Sequence, residues 1–188
     1  MRPSNRRAIL DAAQRVLERE GLTDITFEAV ATESGLTKGG LLYHFRSKDD
    51  LLLGLHEHLA AQWEETLLEE LGKPVEEADE QEKAVAYVRA SSASITRAEL
   101  LLMLDAATRT HFREPWDEVS RRWVPTPVDV DDVPALDRFI ASLAADGLWF
   151  YDAIVGDPLP GRMRERLTDR IVEIHLPRLD SDRDGADR

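Results

Sequence analysis

Apolar residues recur along this chain at intervals of three and four almost throughout, and no stretch alternates apolar with polar side chains as a half-buried strand would. The pattern predicts an all-α protein. An opening helix over residues 6–20 buries Ile9, Ala12, Ala13, Val16 and Leu17 and stops at Gly21. Phe27, Val30 and Ala31 keep helical spacing in a short second helix that ends at Gly35, where a left-handed residue closes the turn. Thr37 offers an N-cap for a third helix over residues 38–45. Leu41, Leu42 and Phe45 are expected to face neighbouring helices, leaving Lys38, Gly39, Gly40, Tyr43 and His44 outside. Ser47 caps a long fourth helix, with Asp49 and Asp50 in its first turn favouring the helix dipole. Its apolar positions, Leu52, Leu55, Leu59, Trp63, Leu67 and Leu71, run until Gly72 and Pro74 end it.

Further helices are expected at about residues 81–92, 97–110 and 115–123. The proline-rich, acidic stretch 124–134 cannot be regular helix. Two last helices, at about residues 135–155 and 160–176, are separated by GDPLPG, which brings the count to nine. Residues 180–188 have nothing to bury and read as a disordered tail.

Two short helices joined by a tight turn are a means of presenting one helix to a DNA groove. Gly39 and Gly40 each cost about 1 kcal/mol relative to alanine in a helix. Close approach of the backbone to a major groove would offset that cost. Lys38, Gly39, Gly40 and Tyr43 are therefore the candidates for entering the groove. Thr26, Thr37, His44 and Lys48 are candidates for holding phosphates, and Arg6 or Arg7 for adding a backbone contact.

Residues 5–52 resemble the DNA-binding domain of the TetR family of bacterial one-component transcriptional regulators. The match comprises the amphipathic opening helix RRAILDAAQRVLEREG, the Thr26-Phe27 entry to the second helix and the block GLTKGGLLYHFRSKDDLL. Many members carry, where this chain has Leu42, a tyrosine that touches a DNA phosphate; Tyr43 and His44 are expected to take over part of that work. The resemblance implies nine helices in two parts. An N-terminal three-helix helix-turn-helix domain occupies residues 1–48, and a C-terminal helical ligand-binding and dimerisation domain occupies residues 49–179. It also implies a homodimer on a palindromic double-stranded DNA operator, released by a small-molecule inducer.

Charge divides along the same line. The chain carries a net charge of −13, yet residues 1–48 hold eight Lys or Arg against six Asp or Glu, leaving 16 against 31 for the rest. Such asymmetry directs the N-terminal end at DNA and keeps the remainder away from phosphates. The chain has no cysteine, which excludes disulfides and thiol catalysis. The five histidines form no metal motif, no nucleophile elbow or phosphate loop is present, and no cofactor is implied. The sequence thus gives no basis for an enzyme. Neither a secretory segment nor a membrane span is visible, so a cytoplasmic location is expected and no membrane partner.

All four tryptophans, Trp63, Trp116, Trp123 and Trp149, lie beyond the DNA-binding segment. The sixth helix is apolar on nearly every side from Leu100 to Ala107 and is expected to lie centrally. Leu100, Leu104, Asp105, Thr108 and Phe112 are its contribution to a ligand pocket. Phe139, Leu143, Asp146, Trp149 and Phe150 come from the eighth helix, Trp63 and Leu67 from the fourth, and Trp116 and Trp123 from the seventh. Asp105 needs a partner if buried, either Arg109 one turn on or a cationic ligand. Aromatic faces with carboxylates suit flat, lipophilic cations. RAELLLMLDA and ADGLWFYDAI also look similar to a multidrug-responsive actinobacterial subgroup that represses drug-efflux genes. Tyr151, Ile154, Met163, Leu167, Ile171 and Ile174 form apolar stripes on the last two helices, expected at the dimer interface. Two rivals remain: a ligand-independent DNA-binding regulator, and a helical carrier or enzyme with a pocket but no need of Lys38 and Tyr43.

Overall fold

The computed structural model describes residues 5–92, 97–155 and 159–176. The expected tail at 180–188, like part of GDPLPG, lies outside the described residues. Nine α-helices are present among them and no strand: α1 Asn5–Glu20, α2 Phe27–Ser34, α3 Lys38–His44, α4 Lys48–Leu71, α5 Glu80–Ala90, α6 Arg97–Thr108, α7 Glu114–Trp123, α8 Val133–Ile154 and α9 Gly161–His175. Short 3-10 turns at Leu22–Asp24, Val75–Glu77 and Thr110–Phe112 join some of them.

Local chemistry sets the boundaries. Thr26, Thr37 and Ser47 each accept a backbone N–H at the start of α2, α3 and α4. Asp79 and Glu82 close a reciprocal capping box on α5. Gly35 and Gly72 end α2 and α4 at φ of 70° and 71°, the left-handed region where a side chain would strain.

Three apolar clusters hold the helices together. The first joins Ile9, Val16 and Leu17 of α1, Val30 of α2 and Leu41 of α3 to Leu51, Leu55 and Leu59 of α4, and continues into Leu102 of α6 and Phe112. The helix-turn-helix unit therefore shares one core with the first half of α4 and with α6. A second cluster packs Leu67 of α4 against Ala86 of α5 and Val119 and Trp123 of α7. A third joins Ala84 and Val88 of α5 to Ala141 and Ala145 of α8 and to Leu176, with Ile171 and Val172 of α9 against it.

Two expectations are corrected by this packing. Leu42 does not turn inward: α3 buries Leu41, with Phe45 buried just past its end, and Leu42, one residue round the helix, is 41% exposed. Nor is α6 central. Its buried stripe is narrow, Ala98, Leu102 and Ala106, and Leu104 is 53% exposed on the opposite side.

Candidate functional site

Of the candidate DNA-facing residues, Lys38, Gly39, Gly40, Tyr43 and His44 lie on α3, whose cap is Thr37. Tyr43 is 84% exposed, with its ring edge-to-face against His44. A Cβ on Gly39 would meet nothing within 4 Å, so the backbone there is open to an incoming groove. Thr26 and Thr37 use their hydroxyls as caps for Ala29 and Gly40. Lys38 donates to Glu28 of α2, and that hydrogen bond holds the Glu28 carboxyl below its usual range. Lys48 donates to the carbonyl of Thr23 across 3.3 Å. Arg6 is engaged against α4, paired with Glu57 at 3.0 Å and with its guanidinium 5.2 Å from the centre of the Phe45 ring. At that junction α1, α3 and α4 approach so closely that a Cβ on Gly54 would lie 2.7 Å from Cε1 of Phe45.

A cavity of about 470 Å³ opens in the C-terminal half, lined from α4, α5, α6, α7 and α8. That volume lies in the range of roughly 300–1,000 Å³ usual for small-molecule sites. Aromatic rings dominate the wall: Trp63, Tyr87, Trp116, Trp149 and Phe150. Trp63 and Tyr87 pack edge-to-face with centroids 5.8 Å apart. Glu99 and Asp146 supply carboxylates, and Ser91, Met103, Ser120 and Gly147 complete the lining. The Tyr87 hydroxyl donates to Asp146. Asp146 is reachable from the cavity but ringed by protein, and this burial raises its pKa above the ordinary carboxylate value, the Tyr87 bond opposing the shift. Burial and the Asp146 charge push the Tyr87 phenol well above its ordinary pKa.

Behind the wall, the Trp116 indole N–H donates to Nδ1 of His56 across 3.0 Å. His56 is fully buried, and burial lowers its pKa, so the ring is neutral. Because Nδ1 accepts, the ring proton sits on Nε2, which faces Oδ2 of Asp105 at 3.4 Å.

Of the residues proposed from the sequence for the pocket, Trp63, Trp116, Asp146, Trp149 and Phe150 stand on the cavity wall. The others do not. Leu67 and Trp123 are buried in the α4–α5–α7 core, and Phe112 is buried beneath His56 with their rings stacked at 4.6 Å. Leu100 is half-buried, while Leu104 and Thr108 face outward from α6. Phe139 and Leu143 lie one to two turns before the lining stretch of α8, with Leu143 exposed. Asp105 is claimed by Arg109, which contacts both its oxygens, so it faces no ligand. Tyr87, Glu99 and Met103 were missed; a tyrosine seven residues after the helix start Glu80 carries no signal of where α5 packs.

On the outer surface, Tyr151, Ile154, Met163, Leu167 and Ile174 are exposed apolar side chains of α8 and α9. Ile171 instead turns partly inward against the third core cluster. Among the described residues no cluster of His, Asp or Glu is arranged to hold a metal ion, and no helix is long and apolar enough to cross a membrane.

Residues 9–55 match the bacterial regulatory proteins of the tetR family, and residues 81–175 match the tetracyclin repressor-like C-terminal domain. The chain belongs to the TetR family. It is therefore a DNA-binding transcriptional regulator, from a family that is not one of enzymes. The HTH-type transcriptional regulator BetI of Klebsiella pneumoniae (strain 342) is 26% identical to this TetR-family regulator over 94% of this chain and 96% of its own. A transcriptional regulator from Saccharomonospora viridis, solved in complex with choline, superposes with a TM-score of 0.69 at 21% identity, covering 91% of this chain and 96% of that one. The multidrug binding protein EbrR complexed with ethidium superposes with a TM-score of 0.61 at 20% identity, covering 91% and 99%. At these identities the structural likeness establishes the fold.

Proposed function

We propose that this regulator is a cytoplasmic, homodimeric repressor that leaves a palindromic operator when a lipophilic cation fills the aromatic cavity. The observation that carries this reading is the composition of the cavity wall: five aromatic rings with Asp146 and Glu99 among them. Ring faces attract cations, and a carboxylate in a partly desolvated wall neutralises them. The choline and ethidium in the two solved relatives are both cations, which supports the same ligand class here. The similarity of RAELLLMLDA and ADGLWFYDAI to a multidrug-responsive subgroup points the same way.

The exposed apolar side chains of α8 and α9 support pairing of two copies through those helices, which would set two copies of α3 on one face of a duplex. Lys38, Gly39, Gly40 and Tyr43 would then read the groove, with Thr26, Thr37, His44 and Lys48 at the phosphates. Release requires the ligand to favour a spacing of the two α3 helices that the operator does not fit.

The test is intrinsic tryptophan fluorescence titrated with choline, with ethidium and with an uncharged dye, beside a mobility-shift assay on the DNA upstream of its own gene. Saturable quenching by the cations alone, with loss of the shifted band in choline, is expected. Binding to DNA with equal response to the uncharged dye would overturn the cationic ligand class. Absence of DNA binding would overturn the repressor.

A further inference from the structure

Arg109, directly after α6, stands between two carboxylates that belong to different parts of the molecule. Its Nε and Nη2 donate to the two oxygens of Asp105 at 2.9 and 2.5 Å, and its Nη1 donates to Oδ1 of Asp49 at 3.1 Å. The guanidinium also lies 4.2 Å from the centre of the Phe112 ring, whose other neighbour is His56. Asp105 faces His56, and His56 accepts from Trp116 of the cavity wall. An unbroken series of polar contacts thus runs from Trp116 through His56, Asp105 and Arg109 to Asp49. Asp49 lies in the first turn of α4, two residues past its cap Ser47 and five past the end of α3. Its neighbour Lys48 is bonded to Thr23 between α1 and α2. The start of α4 is therefore gripped from the DNA-facing side by Lys48 and from the ligand side by Arg109.

We infer that Arg109 is a positioning residue that ties the state of the cavity to the start of α4 and so to α3. The inference rests on the regulator reading for its consequence and on this geometry for its content. A ligand that stacks on Trp116 shifts the indole. His56 is wholly buried, so its Nδ1 has no water to replace the lost donor, and moving the ring with the indole costs less than leaving Nδ1 unpaired. Asp105 and Arg109 form a two-pronged ion pair that is nearly enclosed at the carboxylate, whereas the Asp49 side chain is 62% exposed. The enclosed contact holds and the exposed one yields. Movement at the cavity is thereby spent at Asp49. His111 also touches Asp49, at 3.3 Å, and keeps a residual hold when Arg109 is replaced.

The experiment uses the full chain and a duplex selected from random sequence by the wild-type protein. Trp116→Phe keeps the ring and removes the N–H donor. Operator Kd by fluorescence anisotropy, and amide exchange over residues 46–52, are measured for it in the wild-type, Arg109→Gln and Arg109→Lys backgrounds, each first shown to melt cooperatively. Trp116→Phe is expected to change Kd by roughly threefold or more in the arginine background, the scale found for coupled networks. It should do so again with lysine, which keeps a charge for Asp49, and should lose the effect with glutamine. Exchange over residues 46–52 should follow the same pattern. Equal fold-changes in all three backgrounds, in either readout, would overturn the inference. If no duplex is selected, the repressor reading fails while the exchange readout still decides the role of Arg109.

Discussion

The Tyr87 hydroxyl donates a 2.8 Å hydrogen bond to Oδ1 of Asp146, linking α5 to α8 inside the cavity wall. The bond aims the carboxylate, so that Oδ2 is the oxygen that would meet the proposed cation. Asp146→Asn keeps an acceptor for Tyr87 but removes the charge. Affinity for choline or ethidium is expected to fall about tenfold, because what is lost is a charge–charge attraction worth roughly 1–4 kcal/mol at about 4 Å in partly screened surroundings. Calorimetric titration of the two proteins checks it.

The raised pKa of Asp146 gives the same site a pH dependence. As pH falls through that raised value the carboxylate takes up a proton and its pull on a cation is lost; as pH rises the pull returns. Cation affinity should therefore weaken toward acid pH at values where an ordinary aspartate is still charged. A titration series across pH should show a shallower slope for Asp146→Asn.

His56 makes stability itself sensitive to acid. Its folded pKa is depressed below the ordinary 6.5, so between those two values the unfolded chain binds a proton that the folded chain does not. This contribution to stability is present above about pH 6.5 and is lost as pH falls toward the folded value. Protonation would also place a hydrogen on Nδ1 against the Trp116 donor. Thermal melts between about pH 8 and 5 should drop steeply for the wild type and less steeply for His56→Gln.

On the DNA-facing side, Tyr43→Ala removes an exposed ring and should leave the melting temperature within error. Operator affinity should fall by roughly 1–3 kcal/mol if the ring meets a base edge. Lys48→Ala, at a proposed phosphate contact, should weaken binding with less dependence on sequence, and should shrink the salt slope by about one. Anisotropy titrations at several salt concentrations distinguish the two.

Gly54→Ala tests the junction beneath that face. The added Cβ would meet Cε1 of Phe45 at 2.7 Å and Nη2 of Arg6 at 3.2 Å. Phe45 is a buried ring end that cannot swing away, so a loss of about 1–3 kcal/mol in chemical denaturation is expected.

How much of this was legible in the sequence differs by feature. Caps and stops are local: Thr37, Ser47, Gly35 and Gly72 act within one turn, and the structure has each where the pattern placed it. The helix-turn-helix also reads directly, because its core stripe and turn lie within 20 residues. Orientation about a helix axis is not local. For α6, apolar on every side, no stripe names the buried face, and only packing on α1 and α8 reveals that Leu102 is inside and Leu104 outside. The partner of Asp105 was open between Arg109 and a ligand; the fold resolves it through a four-residue spacing already present in the chain. Tyr87 was invisible for the converse reason, since its meeting with Asp146 joins residues 59 apart.

The core shared by α1, α4 and α6 bears on how this regulator could be re-engineered. Leu51, Leu55, Leu102 and Phe112 close the same apolar cluster as Ile9, Val30 and Leu41. A reading head cut at residue 48 would be a lidless box, its hydrophobic floor wet. A chimera that grafts this operator specificity onto another sensor has to carry the upper half of α4 and a seat for α6 with it, so the useful splice point lies past Leu59 rather than at the first loop.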